Sequence, residues 1–168
     1  MVVAQKESGK TVAELKKDIL ALSADELVSV QAHTKKTIRA KQPLPTHIPV
    51  SIFATELSPA EAVVKYLKEH HALTFSEIAK LINRDQRGIW GSYARSQRKL
   101  PGEFELESVI HKIPISCFSD RSKSILEHIV THLKDEKNLK PAQICALLDK
   151  KRSTIWTAYQ RARRKQNA

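Results

Sequence analysis

The chain has only four glycines, two cysteines and one methionine in 168 residues, and only 5% of it is aromatic. Glycine is the residue on which hairpin turns and bulges most depend. Its scarcity, with few β-branched runs bounded by turn residues, argues against a sheet-rich fold and for helices. The cysteines, Cys117 and Cys145, have no CxxC partner and give no zinc signature. They read as small buried apolar residues in a reducing compartment. No apolar run approaches the length of a membrane span, and the first residues carry no signal-peptide core, so the expected location is cytoplasmic. No nucleophile elbow or P-loop pattern occurs, so catalysis has no support and no cofactor or metal is expected.

What the chain does have is positive charge. Apolar residues make up 41% and charged residues 28%, which suits a packed domain. The net charge is +11 and the isoelectric point about 9.8. Residues 1–47 contribute +3, residues 48–112 +1 and residues 113–168 +7. A surplus this large and this localised points to a polyanionic partner.

An internal duplication organises the chain. "IPVSIF" (Ile48–Phe53) recurs as "IPISCF" (Ile113–Phe118), an offset of 65. "GIWGSYARSQRK" (Gly88–Lys99) recurs as "TIWTAYQRARRK" (Thr154–Lys165), an offset of 66, with six of twelve positions identical. A repeat of this length is a small domain rather than a solenoid unit. Cys117 matches Ile52 and Cys145 matches Ala79, both apolar slots.

Capping boxes mark helix starts at Ser58–Glu61, Thr74–Glu77 and Ser124–Glu127, and Lys140-Pro141 opens the counterpart of the second of these. Ala60, Val63, Val64 and Leu67 form one apolar stripe, matched by Leu126, Ile129, Val130 and Leu133. The next helix turns Ile78, Leu81 and Ile82 inward, or Ile144, Leu147 and Leu148. Asn83 and Asp149 follow, residue types that tolerate a left-handed turn. Third helices are expected from about Asp85 to Leu100 and from about Lys151 to Gln166. Two further capping boxes, Thr11–Glu14 and Ser23–Glu26, predict helices over roughly 11–21 and 23–40, with an apolar stripe of Val12, Leu15, Ile19 and Leu22 on the first. Residues 1–10 read as disordered. The expected division is a helical N-terminal segment with a proline-rich linker (1–45), a first domain (46–100), a linker carrying Glu103, Glu105 and Glu107 (101–112), and a second domain (113–168).

Three helices with a short second, a tight turn and a basic third outline a helix-turn-helix. The skeleton of small residue, turn residue and β-branched plug is Ala79, Asn83 and Ile89, and again Cys145, Asp149 and Ile155. "LTFSEIAKLINRDQRGIWGSYARSQRK" (Leu73–Lys99) resembles the helix-turn-helix of sigma factor region 4 and LuxR-like regulator domains. The lead-in "LTxxEIAxxxN" and the closing basic run carry the resemblance, which covers roughly residues 58–99 and 124–165. It implies an all-α chain of two tandem three-helix DNA-binding units, each inserting its third helix into the major groove. Two positions depart from the pattern. The residue after the turn, apolar in the family, is Arg84 or Lys150, and the cap of the third helix is Asp85 in one copy but Lys151 in the other.

The residue chemistry points the same way. Ile89 with Tyr93, and Ile155 with Tyr159, lie one turn apart and should face the core. The other face presents Gln86, Arg87, Trp90 and Ala94, or Arg152, Ser153, Trp156 and Gln160. Arg and Gln can read guanine and adenine edges. Arg84, Arg95, Arg98 and Lys99, and Lys150, Lys151, Arg161, Arg163, Arg164 and Lys165, supply cations for phosphates. The window Arg84–Lys99 sums to +4 and Lys150–Lys165 to +7, so the second unit is expected to bind more tightly. Trp90 and Trp156 either close the core against the IPxSxF segment or touch sugar and thymine methyl groups. The apolar segment ahead of each unit favours packing. His128 and His132 have a metal-site spacing but no third ligand, and are expected on a partly exposed helix face.

The expected function is sequence-specific binding of double-stranded DNA by two linked units, in transcription regulation. The alternatives are a protein-interaction or architectural protein that docks RNA polymerase or another regulator, and the DNA-binding subunit of a recombinase or transposase. Residues 11–40 are a candidate dimerisation element.

Overall fold

A computed structural model describes residues 11–41, 44–104, 106 and 110–167. The expected disorder of residues 1–10, the side chains of Val12 and Leu15, and the acidic linker residues Glu105 and Glu107 lie outside what it describes. Among the described residues the protein is mostly helical, with one sheet of two short strands. It forms two compact units, one up to Gln42 and one from Pro43.

The first unit holds helices α1 (Val12–Leu20) and α2 (Ala24–Lys41). Thr11 caps α1 in a capping box with Glu14, and Ser23 and Glu26 make the same exchange ahead of α2. Of the expected apolar stripe, Ile19 is exposed and Leu22 half-buried. Leu20 and Val28 are also exposed.

The second unit contains both repeats. The first runs β1 (His47–Pro49), a 3₁₀ turn (Val50–Phe53), α3 (Pro59–Glu69), α4 (Phe75–Leu81) and α5 (Gln86–Lys99). The second runs β2 (Lys112–Pro114), a 3₁₀ turn (Ile115–Ser119), α6 (Ile125–Thr131) with a π-helical continuation to Glu136, α7 (Pro141–Leu148) and α8 (Arg152–Gln166). Ser58, Thr74 and Ser124 cap their helices in the expected capping boxes. Asn83 and Asp149 adopt φ of 50° and 48°, the left-handed region. That turn lets the Arg84 N–H reach the Ala79 carbonyl (2.8 Å) and the Lys150 N–H reach the Cys145 carbonyl (3.2 Å), satisfying acceptors at the helix end. The apolar stripes of both repeats bury as the periodicity predicts, except that Ala60, Leu81, Leu126 and Leu147 lie half-buried at the core's edge. The two cysteines are free and half-buried rather than fully buried.

The repeats are not separate bodies on a linker: they share one core. β1 pairs with β2 antiparallel in the register His47↔Pro114, Ile48↔Ile113 and Pro49↔Lys112. Ile48 and Ile113 are equivalent residues of the two repeats and pair with each other. The flanking pairs are also equivalent to one another. So are the next hydrogen bonds, Val50 N–H to His111 carbonyl (3.0 Å) and Ile115 N–H to Thr46 carbonyl (2.9 Å). The first 3₁₀ turn packs on α7 and the second on α4, while α3 meets α6. A surface that meets itself in this reciprocal way is the mark of twofold symmetry. Here the axis runs through a single chain, between Ile48 and Ile113.

Both isoleucines are fully buried, so Ile48→Ala should cost about 2–5 kcal/mol. Because the core is shared, urea unfolding followed by the one tryptophan left in Trp90→Phe should coincide with that followed in Trp156→Phe, and Ile48→Ala should move both midpoints together. Separate midpoints would show two independent bodies.

Candidate nucleic-acid interface

The third helices α5 and α8 hold the residues that the sequence singles out. Each is seated by its own small residues and by two anchors. Ile89, Ser92 and Ser96 are buried along α5, and Ile155, Ala158 and Ala162 along α8. Tyr93 and Tyr159 pack half-buried against the core, as expected. The Tyr93 hydroxyl donates to Glu69 (3.4 Å), which also takes Gln97 Nε2 and the ammonium of the fully buried Lys65 (2.7 Å). In the second repeat the Tyr159 hydroxyl donates to Asp135 (2.9 Å), and Arg163 reaches the same hydroxyl.

The second anchor is a carboxylate that sequence reading recognised only as a helix cap. Glu61 is buried and receives Arg95 Nε (3.0 Å) and Lys99 Nζ (2.8 Å). Its counterpart Glu127 receives Lys165 Nζ (2.7 Å). Burial alone would raise the Glu61 carboxyl. The Lys99 ammonium, the Ser58 backbone N–H and the Arg95 guanidinium outweigh it and hold the group at about 2. The same contest, with Lys165, lowers Glu127. Three cations expected on phosphates, Arg95, Lys99 and Lys165, therefore fasten α5 and α8 to the first helix of their own repeat.

Two more expected phosphate contacts serve the interface between repeats. Arg84 Nη2 donates to the carbonyls of Asp120 (3.3 Å) and Lys123 (3.2 Å). Lys150 Nζ donates to the carbonyl of Thr55 (3.0 Å). Thr55 and Asp120 are equivalent, as are Arg84 and Lys150, so these bonds form another symmetric pair. The cation that follows each left-handed turn thus has a structural role: it reaches a carbonyl of the other repeat. Asn83 Nδ2 adds a bond to the Ser119 carbonyl (3.0 Å), which Asp149 cannot copy because a carboxylate has no donor.

Of the two readings open for the tryptophans, the structure goes against the favoured one, packing on the core. Trp90 is 62% exposed and Trp156 57% exposed. Neither closes the core, because each IPxSxF segment is covered by the other repeat. On α5 they leave an outward face of Arg87, Trp90 and Arg98, all exposed, with Gln86 exposed at its N-terminus and Ala94 half-buried. On α8 that face is Ser153, Trp156 and Arg164, with Lys151, Arg152, Arg161 and Arg163 exposed around it and Gln160 half-buried. The helix ends differ as well. The Asp85 carboxylate accepts the N–H groups of Arg87 (2.9 Å) and Gly88 (3.4 Å), whereas Lys151 caps α8 with no side-chain bond.

The remaining candidates fall away. His128 and His132 are buried, not partly exposed. The His128 ring donates from Nε2 to the Asp120 carbonyl (3.0 Å), and His132 Nδ1 lies 2.8 Å from Glu136. Among the described residues no three His, Cys, Asp or Glu side chains are grouped to hold a metal, and no helix is long and apolar enough to cross a membrane. The chain matches no family model, no curated protein and no solved structure.

A carboxyl held below its unfolded value of 4.5 contributes stability that is complete above that pH and is lost as pH falls toward 2. Glu61→Gln keeps the capping geometry but removes the charge. It should lower stability at pH 7 by about 1.5–3 kcal/mol and flatten the acid limb of a stability-against-pH curve. An unchanged acid limb would show that the Glu61 ion pairs contribute nothing.

Proposed function

We propose that this protein binds double-stranded DNA, with α4–α5 and α7–α8 acting as two helix-turn-helix units whose third helices enter the major groove. Within that class we read it as a sequence-specific transcription regulator, in keeping with the resemblance of Leu73–Lys99 to sigma factor region 4.

One observation carries this reading. In both repeats the acidic partners lie on the inner side of the third helix, and the outward side carries an exposed tryptophan among cations. Leaving an indole in water is unfavourable for the free protein, and the duplication retains it in both copies. An aromatic face beside guanidinium groups suits base edges, thymine methyls and deoxyribose. Arg98, Arg161, Arg163 and Arg164 have the reach for phosphates. Arg87 with Gln86, and Arg152 with Ser153, stand at the helix starts, where base edges are met. Arg84, Arg95, Lys99, Lys150 and Lys165 drop out of the direct contacts or contribute through the exposed part of their side chains.

The second repeat should dominate affinity for two reasons. It has the larger excess of cations, and no side chain caps the N-terminus of α8, which leaves the Ser153 N–H for a phosphate where Asp85 occupies the equivalent Arg87 N–H of α5. Lys151→Asp separates stability from binding. It adds the missing cap and should raise stability by about 0.5–1 kcal/mol. It should also weaken binding to duplex DNA and lower the slope of log affinity against log salt by about 1. By contrast, Arg84→Met should destabilise the fold and leave that slope unchanged. Equal DNA binding by Lys151→Asp and the unaltered protein would remove α8 from the interface. Absence of salt-dependent binding by the unaltered protein would remove the reading itself.

A further inference from the structure

We infer that one copy of this chain recognises an inverted repeat with two unlike half-sites. The inference rests on the DNA-binding reading and adds the arrangement of the target, which the sequence leaves open between direct and inverted.

The symmetry of the second unit decides the arrangement. The interactions nearest the axis are reciprocal: the strand register centred on Ile48 and Ile113, the bonds Val50 to His111 and Ile115 to Thr46, and the cations Arg84 and Lys150 on the Asp120 and Thr55 carbonyls; the further bonds Asn83 to Ser119 and Arg84 to Lys123 have no counterpart. A twofold axis relating the repeats also relates α5 to α8. Two recognition helices related by a twofold axis meet the two strands of a duplex in opposite senses, so their half-sites are inverted. Two beads on a flexible linker would carry no such restriction. Here the shared core imposes it, because Ile48, Val50, Ile113 and Ile115, where the repeats pair, are buried. Symmetric DNA-binding proteins reach this geometry by pairing two chains. This chain holds both halves, so one copy suffices for a full site.

The half-sites are unlike because the reading residues are. Gln86-Arg87 begins α5 and Arg152-Ser153 begins α8. Gln pairs with adenine and Arg with guanine, so the purine called for shifts by one base between the halves. All four side chains are exposed, so they can be exchanged with little effect on the core.

The test is selection of bound sequences from a random duplex pool, using the full chain and the double variant Arg152→Gln, Ser153→Arg. The mass of each complex is measured on the selected duplex. The unaltered chain should enrich an inverted repeat with different halves, bound one chain per duplex. The double variant should enrich a more symmetric inverted repeat, changed only in the half read by α8. Enrichment of a direct repeat, of a single half-site, or of a site bound by two chains would overturn the inference and leave DNA binding standing. Failure to enrich anything, with no duplex binding at low salt, would overturn both.

Discussion

The antiparallel pairing of Ile48 with Ile113 is the constraint on which the rest of the second unit depends. It joins two short strands that would be too small to stand alone, and it places each IPxSxF segment on the helices of the other repeat. Ile48, Ile52 and Phe53 are buried, as are Ile113, Ile115 and Phe118, and neither set is covered by its own repeat alone. Each half therefore lacks part of its core until the other arrives. The consequence is mechanical as well as energetic, since the two third helices are held by one packed body.

Charge is divided between that body and its surface. A count of Lys and Arg gives a surplus on both third helices, but several of those cations have internal partners. Arg95, Lys99 and Lys165 meet buried carboxylates that would be costly to leave unpaired. Arg84 and Lys150 satisfy carbonyls at the seam. The cations left over cluster on the outward side of α5 and α8. The unpaired positive surface is thus smaller than the net charge suggests, and the exposed tryptophans occupy more of it.

What the sequence made legible was local. Capping boxes, the apolar stripes of the two repeats and left-handed turns fall where expected because each is decided within a few residues, whereas the stripe expected on α1 leaves Ile19 exposed. The third helices start and end within a residue of the expected bounds. What stayed hidden was non-local. Packing on the IPxSxF segments is the favoured of two readings for Trp90 and Trp156, because nothing within one repeat shows that the other repeat covers those segments. The same holds for His128, buried against Phe118 and hydrogen-bonded to Asp120 rather than left on a partly exposed face. A signal did exist. A cation directly after the turn, in both copies, is hard to place in a separate three-helix domain and easy to place in a pair that exchanges contacts.

The two copies have diverged in a way that a pair of identical chains could not. In a homodimer every substitution appears on both sides of the axis, so a change that helps one half-site is imposed on the other. Within one chain the halves are free to differ. Asn83 donates across the seam and Asp149 does not. Asp85 caps α5 and Lys151 leaves α8 uncapped. Lys65 is buried against Glu69, where the second repeat has Thr131 before Asp135. The backbone bonds at the axis have stayed symmetric, because altering one strand of a self-paired ladder disturbs both. Divergence has collected instead at the helix starts and outward faces, where a change on one helix leaves the other untouched. That distribution fits a frame kept symmetric for folding and two surfaces adapted to different targets.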